Sequence, residues 1–208
     1  MEQGSVSAGR FKAVYAAGEG SGDGWAQVAG ACADALGDLP EDTNLGFLYA
    51  TDVLADDLGS ILELLRSRTG ITDWVGTIGM GVLGTGVEFY NRPAISLLVG
   101  SFDDGVYRLF SPIVDSLERF RSEHSAWIAE HQPILGVVHG DPRNHDLVEV
   151  IEDVSEETSA FLVGGLTSSR GEGPQISRDI SEGGLSGVLF ASDQLAVAAL
   201  TQGCTPIG

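Results

Sequence analysis

Apolar and polar positions along this chain follow two rhythms, and the switches between them mark its elements. Residues 11–17 form a short apolar run with Val14 and Tyr15 at its centre, which predicts a strand. Trp25, Val28, Ala29, Cys32 and Leu36 recur at spacings of three and four, setting them on one face of a helix that Gly37 and Pro40 stop. Residues 45–50 are almost continuously apolar, as in a strand covered on both faces. Leu54, Leu58, Ile61, Leu62 and Leu65 mark an amphipathic helix, and residues 74–77 a short strand. Residues 76–86 read as a loop with five glycines. Residues 94–99 and 106–110 read as paired strands joined by the turn Asp103-Asp104-Gly105. The longest predicted helix spans roughly 112–131, with Ile113, Leu117, Phe120, His124, Trp127 and Ile128 on its period, and Pro133 ends it. A further helix, about 144–156, turns Leu147, Val150, Ile151 and Val154 to one side, with Asn144 placed to cap its first turn.

The pattern occurs twice. Leu45-Gly46-Phe47-Leu48-Tyr49 answers to Leu135-Gly136-Val137-Val138-His139, and each passage leads to an Asp (Asp52, Asp141) and a helix. Trp74-Val75-Gly76 answers to Leu162-Val163-Gly164, with glycine-rich stretches behind both. Residues 94–99 answer to 184–189, and Asp103 to Asp193. The expected fold is mixed α/β: two pseudo-repeated halves, 45–110 and 135–200, each a βαβ unit plus a β-hairpin, packed as one domain over 1–208. Ligand sites often form where such halves meet.

Composition narrows the function classes. The net charge is −19, from 30 acidic and 11 basic residues, and Lys12 is the only lysine. So acidic a surface disfavours nucleic acid and anionic membranes, both polyanions. No apolar run reaches the ~20 residues of a membrane span, residues 1–10 lack the pattern of a secretory signal, and two distant cysteines make no disulfide framework. The expectation is a cytoplasmic protein with reduced thiols and no cofactor.

The candidate chemistry lies in the glycine-rich stretches. Gly76-Thr77-Ile78-Gly79-Met80-Gly81 follows a strand but has neither the G-x-G-x-x-G order nor a following helix for a dinucleotide. Its backbone amides, and those of Gly164-Gly165-Leu166-Thr167-Ser168-Ser169, suit a small anion such as a carboxylate; the alternative is a pair of tight turns. Glu88 or Asp141 is placed for a ligand ammonium group, or each is an ordinary surface or turn acid. Arg92 and Arg170 stand near the two stretches and either pair with a carboxylate or offset neighbouring acids. His139 and Asp141, at the end of a strand, are read as an acid–base pair or as a turn before a helix. Cys204 is read as lining a cleft or as a nucleophile. The candidate ligand-binding residues are therefore Gly76, Thr77, Gly79, Gly81, Glu88, His139, Asp141, Gly165, Ser168, Ser169 and Cys204, with no catalytic or metal-binding residue assigned.

Asp73-Trp74-Val75-Gly76 with its glycine stretch, followed by Pro93-Ala94-Ile95-Ser96-Leu97-Leu98, resembles the N-terminal FIST domain of the F-box and intracellular signal transduction family. So do Phe161-Leu162-Val163-Gly164-Gly165-Leu166-Thr167-Ser168-Ser169, Gly187-Val188-Leu189-Phe190 and Gln202-Gly203-Cys204-Thr205-Pro206-Ile207-Gly208, the last being the most specific piece. The resemblance runs from about residue 28 to 208. It implies a non-catalytic sensory domain that binds a small polar ligand such as an amino acid and passes the signal to other signalling proteins. It also implies a C-terminal FIST domain beyond the stretch present here. Many relatives have a cysteine where this chain has Thr77, which argues against thiol chemistry at that point. The rival expectation is a hydrolase or transferase using His139, Asp141 or Cys204, and a third is a protein-interaction scaffold.

Overall fold

Strands that are apolar on both faces need cover on both, and this chain supplies it with a second sheet on one side and helices on the other. The computed structural model describes residues 1–8, 10–19, 24–194 and 196. Strand β1 (Glu2–Ala8) pairs antiparallel with β2 (Phe11–Ala17), and helix α1 (Trp25–Leu36) follows, ended by Gly37 at φ 55°. Then come β3 (Thr43–Thr51), a 3-10 turn (Asp52–Asp57), α2 (Leu58–Thr69) and β4 (Asp73–Gly79). A hairpin of β5 (Gly81–Gly84) and β6 (Val87–Tyr90) leads to β7 (Ala94–Ser101). The second part has β8 (Tyr107–Ile113), α3 (Glu118–His131), β9 (Leu135–Gly140), α4 (Leu147–Thr158), β10 (Phe161–Leu166), β11 (Gln175–Ser177), β12 (Asp179–Ser181) and β13 (Leu185–Phe190). The larger sheet runs β1-β2-β7-β3-β4-β11-β12, the smaller β10-β9-β13-β8.

The two sheets pack face to face. Leu45, Phe47 and Val75 of the larger meet Val188 and Phe190 of the smaller. The alternate residues of β3, Leu48 and Ala50, face α1 and α2 together with Trp74, Ile78 and Ile95. On the far side, α3 and α4 bury Phe120, Leu147, Val150 and Val154 against Phe110, Val138 and Leu189. The class is mixed α/β as expected.

Two elements differ from the expectation. Residues 94–99 and 106–110 do not pair: β7 lies between β2 and β3, while β8 crosses to the smaller sheet and pairs with β13. Instead of a hairpin closing each half, the paths β2-β7-β3-β4 and β8-β13-β9-β10 run alike, with two antiparallel contacts and then a parallel one. The helix expected over 112–131 begins only at Glu118, because Ile113 is still in ladder register with Leu185. The glycine-rich 76–86 stretch is mostly strand, with Gly76 inside β4 and a tight turn at Gly86, φ 76°.

Candidate functional site

Thr77 on β4, Tyr49 on β3, Ser96 and Leu98 on β7 and Tyr15 on β2 project from the inner face of the larger sheet. They line a cleft of about 700 Å³ whose other wall is His139 on β9 with Gly164, Gly165 and Leu166 on β10. The β5–β6 hairpin closes one side through Gly81, Val82, Leu83 and Gly84. Val82 and Phe89 anchor that hairpin beside Ala17 and Ala94, with the Phe89 and Tyr15 rings 5.5 Å apart. Gly84 is required there, since a Cβ would lie 2.4 Å from the Tyr15 ring.

Two polar bridges join the sheets. The Tyr49 hydroxyl is 3.0 Å from Nε2 of His139, the rings meeting edge-on. Burial pushes the imidazole down to about 4 and the phenol up to about 12, so both groups are neutral near pH 7. A neutral imidazole has one N–H and one lone pair, and either tautomer leaves a hydrogen bond unmet at Nδ1, which is buried without a partner. Deeper in, the Thr77 and Thr167 hydroxyls are 2.7 Å apart and Thr77 also donates to the Pro174 carbonyl at 3.0 Å.

The model of the FIST N domain family matches residues 44–208. This chain belongs to the FIST N domain family. The family is one of sensory domains in signal transduction. No curated protein matches the chain.

Of the residues expected to bind ligand, the FIST N domain brings Thr77, Gly79, Gly81, His139 and Gly165 to this cleft. Gly76 lies beneath it, where a Cβ would sit 1.8 Å from the Leu48 carbonyl oxygen. Glu88 is exposed on β6 and accepts a hydrogen bond from Tyr90 at 3.4 Å. Asp141 does not reach His139 but accepts from Arg143 at Nε (2.9 Å) and Nη2 (2.7 Å) and from the Gly183 N–H (3.2 Å). The Arg143 guanidinium holds its carboxyl below the usual range. Ser168 is exposed, its N–H donating to the Ile78 carbonyl at 3.3 Å, and Ser169 lies by Asp52 and Arg170 in a separate recess. Cys204 lies outside the described residues. Cys32 is buried, its thiol pushed up to about 12.

The cations expected near the glycine stretches are engaged by acids. Arg92 pairs with Glu2 at 2.8 Å and stacks on Phe89, and Arg170 pairs with Asp52 at 3.4 Å. Among the described residues, none that lines the cleft is an acid, a lysine or an arginine. Sequence reading missed Tyr15, Tyr49, Ser96 and Leu98. The signal for Tyr49 was present, because it holds in the first passage the place His139 holds in the second. Among the described residues no helix is long and apolar enough to cross a membrane, and no His, Cys, Asp and Glu cluster is arranged to hold a metal ion.

Proposed function

We propose that this FIST N domain is the ligand-binding part of an intracellular signalling protein, and that the cleft between its sheets holds a polar ligand, with amino acids and their neutral derivatives the first classes to test. The observation that carries the reading is convergence: Gly79 and Gly165, from separate glycine-rich stretches, line one cleft with His139, whose Nδ1 is buried without a partner. An unmet buried hydrogen bond costs about 1–3 kcal/mol, and a ligand that meets it recovers that cost. The Tyr49 and Ser96 side chains and the β10 main chain stand beside it.

A sensor fits this cleft better than a catalyst does. With the His139 imidazole near 4 and the Tyr49 phenol near 12, neither group transfers protons readily at neutral pH. A ligand touching both sheets biases how they sit on each other, which is the signal passed onward. Calorimetry of the protein against amino acids and related polar metabolites tests this. The expected outcome is saturable binding that His139→Gln weakens; heat from no compound in the panel counts against the cleft as a sensory site.

A further inference from the structure

The ligand class is written in the open edge of β10. This strand ends the smaller sheet, and among the described residues no strand pairs with its outer side. The Phe161 N–H donates to Ile134 O (3.0 Å) and the Thr167 N–H to Gly140 O (2.8 Å), so the odd positions face β9. By the alternation of a strand, Leu162, Gly164 and Leu166 turn their N–H and C=O groups to the open side. Gly164 and Leu166 line the cleft.

The same protein shows what such an edge accepts. On β4 the outward groups belong to Trp74, Gly76 and Ile78: Trp74 O accepts from the Arg178 N–H at 2.8 Å and Ile78 O from the Ser168 N–H at 3.3 Å. There β11 lies antiparallel, with Ile176 directly opposite Gly76. Gly76 and Gly164 share one backbone shape, φ 153° and 152°, each with its Cβ position 1.8 Å from a carbonyl oxygen of the parallel neighbour. The edge that β11 fills on β4 is thus repeated on β10, where no strand fills it among the described residues.

Charge settles what fills it. A free amino acid would bring an ammonium and a carboxylate into a cleft whose described lining residues carry no opposite charge for either, which its neutral derivatives avoid. The interior of a peptide brings neutral N–H and C=O groups at the strand spacing, and Leu162 to Leu166 spans about 13 Å, enough for roughly five residues. A second copy of this chain would set a charge of −19 against itself. We propose that the cleft binds an extended, uncharged peptide segment as an added antiparallel strand on β10, its alternate side chains resting on Tyr15, Ser96 and Leu98. This rests on the cleft being the ligand site and names the ligand class.

The probes are two: a capped peptide of residues 174–178 with the final Arg replaced by Gln, acetyl-Pro-Gln-Ile-Ser-Gln-amide, and a pool of capped uncharged pentapeptides with Ile, Leu or Val at the centre. Titration is followed by amide NMR and hydrogen exchange on the whole chain. Peptide binding is expected to slow exchange at Leu162, Gly164 and Leu166 while leaving Trp74, Gly76 and Ile78 as they were. N-methylation of the central peptide amide is expected to weaken binding about tenfold. Gly165→Phe, whose Cβ enters open space, is expected to fold and to lose the peptide. Failure of both probes to bind overturns the proposal, as does binding indifferent to N-methylation and to Gly165→Phe. A small metabolite that binds and is lost in Gly165→Phe, with neither peptide binding, leaves the cleft as a ligand site and overturns the peptide alone. A dimer already protected at Leu162, Gly164 and Leu166 without peptide gives the edge to a second copy and also overturns it.

Discussion

Strands β4 and β10 share a backbone and differ in company. Each is the parallel partner of a central strand, each carries a glycine near φ 150° pressed against a carbonyl, and each lies at the end of a like path of strands. Yet Trp74 and Val75 are fully buried, whereas Phe161 is 62% and Leu166 57% exposed. Helices α1 and α2 cover Trp74, Val188 and Phe190 cover Val75, and β11 pairs with the edge of β4, while β10 has no strand on its outer side among the described residues. One strand was made structural by being covered; the other keeps a reactive row of hydrogen-bonding groups beside a cleft. Where two like strands meet unequal neighbours, the less covered one keeps an edge with which another strand can pair.

The widest gap is expected from alanine at the two glycines. At Gly76 a methyl group meets the Leu48 oxygen at 1.8 Å in a strand held on both sides by β3 and β11. Gly76→Ala is expected to lose more than about 4 kcal/mol, enough to leave little folded protein. Gly164→Ala meets Val138 O at the same 1.8 Å, but its strand is free to retreat from β9. It is expected to lose about 2 kcal/mol. Urea unfolding measures both, and equal losses would show that the cover on β4 contributes no rigidity.

Acid is expected to act next, through His139. Its folded value is about 4, below the ~6.5 of an unfolded chain. Between those values the unfolded chain binds more protons, so stability is complete above pH 6.5 and falls as pH drops toward 4, by roughly 3 kcal/mol. His124 is lowered too, by burial and by Arg108, and adds slope in the same window. Asp141, whose carboxyl is lowered by Arg143, contributes stability that is lost only as pH falls through its own depressed value. Stability measured from pH 7 to 4 should flatten in His139→Gln more than in His124→Gln. Tyr49, the first-part counterpart of His139, is expected to matter less: Tyr49→Phe removes one 3.0 Å hydrogen bond and should cost about 1–3 kcal/mol, read from urea midpoints.

Much of this architecture was legible in the rhythm of the chain. The strand at 11–17 and the helix from Trp25 to Leu36 stand where periodicity placed them. The partner of β8 was not legible, because Asp103-Asp104-Gly105 carries a hairpin signal that is local. The choice of sheet is made by distant apolar faces such as Val188 and Leu189. Residues 112–117 misled in the same way, since Ile113 and Leu117 fit a helical period that ladder register with Leu185 overrides. Of the residues named from the sequence, Thr77, Gly79, Gly81, His139 and Gly165 line the cleft, because they stand at or near the ends of strands that the two sheets bring together. Tyr15, Ser96 and Leu98 were not found, since nothing local separates an inner-face residue over a cleft from one over a core.

The smallest expected effect divides two adjacent glycines of β10. Gly165 has no atom within 4 Å of its Cβ position and no positive φ, and it stands on the strand where β4 carries Thr77. Alanine there strikes nothing in the folded state and reduces the freedom of the unfolded chain. Gly165→Ala is therefore expected to raise stability, by about 0.5 kcal/mol. Its neighbour Gly164→Ala is expected to lower it, although both substitutions add one methyl group to the same exposed strand. The sign of that pair, read from urea midpoints at neutral pH, separates the two roles of glycine on β10: close approach to Val138 at one position and open space in the cleft at the next. A loss at Gly165 comparable to that at Gly164 would mean the cleft is filled by protein at that point and has no room for a ligand strand.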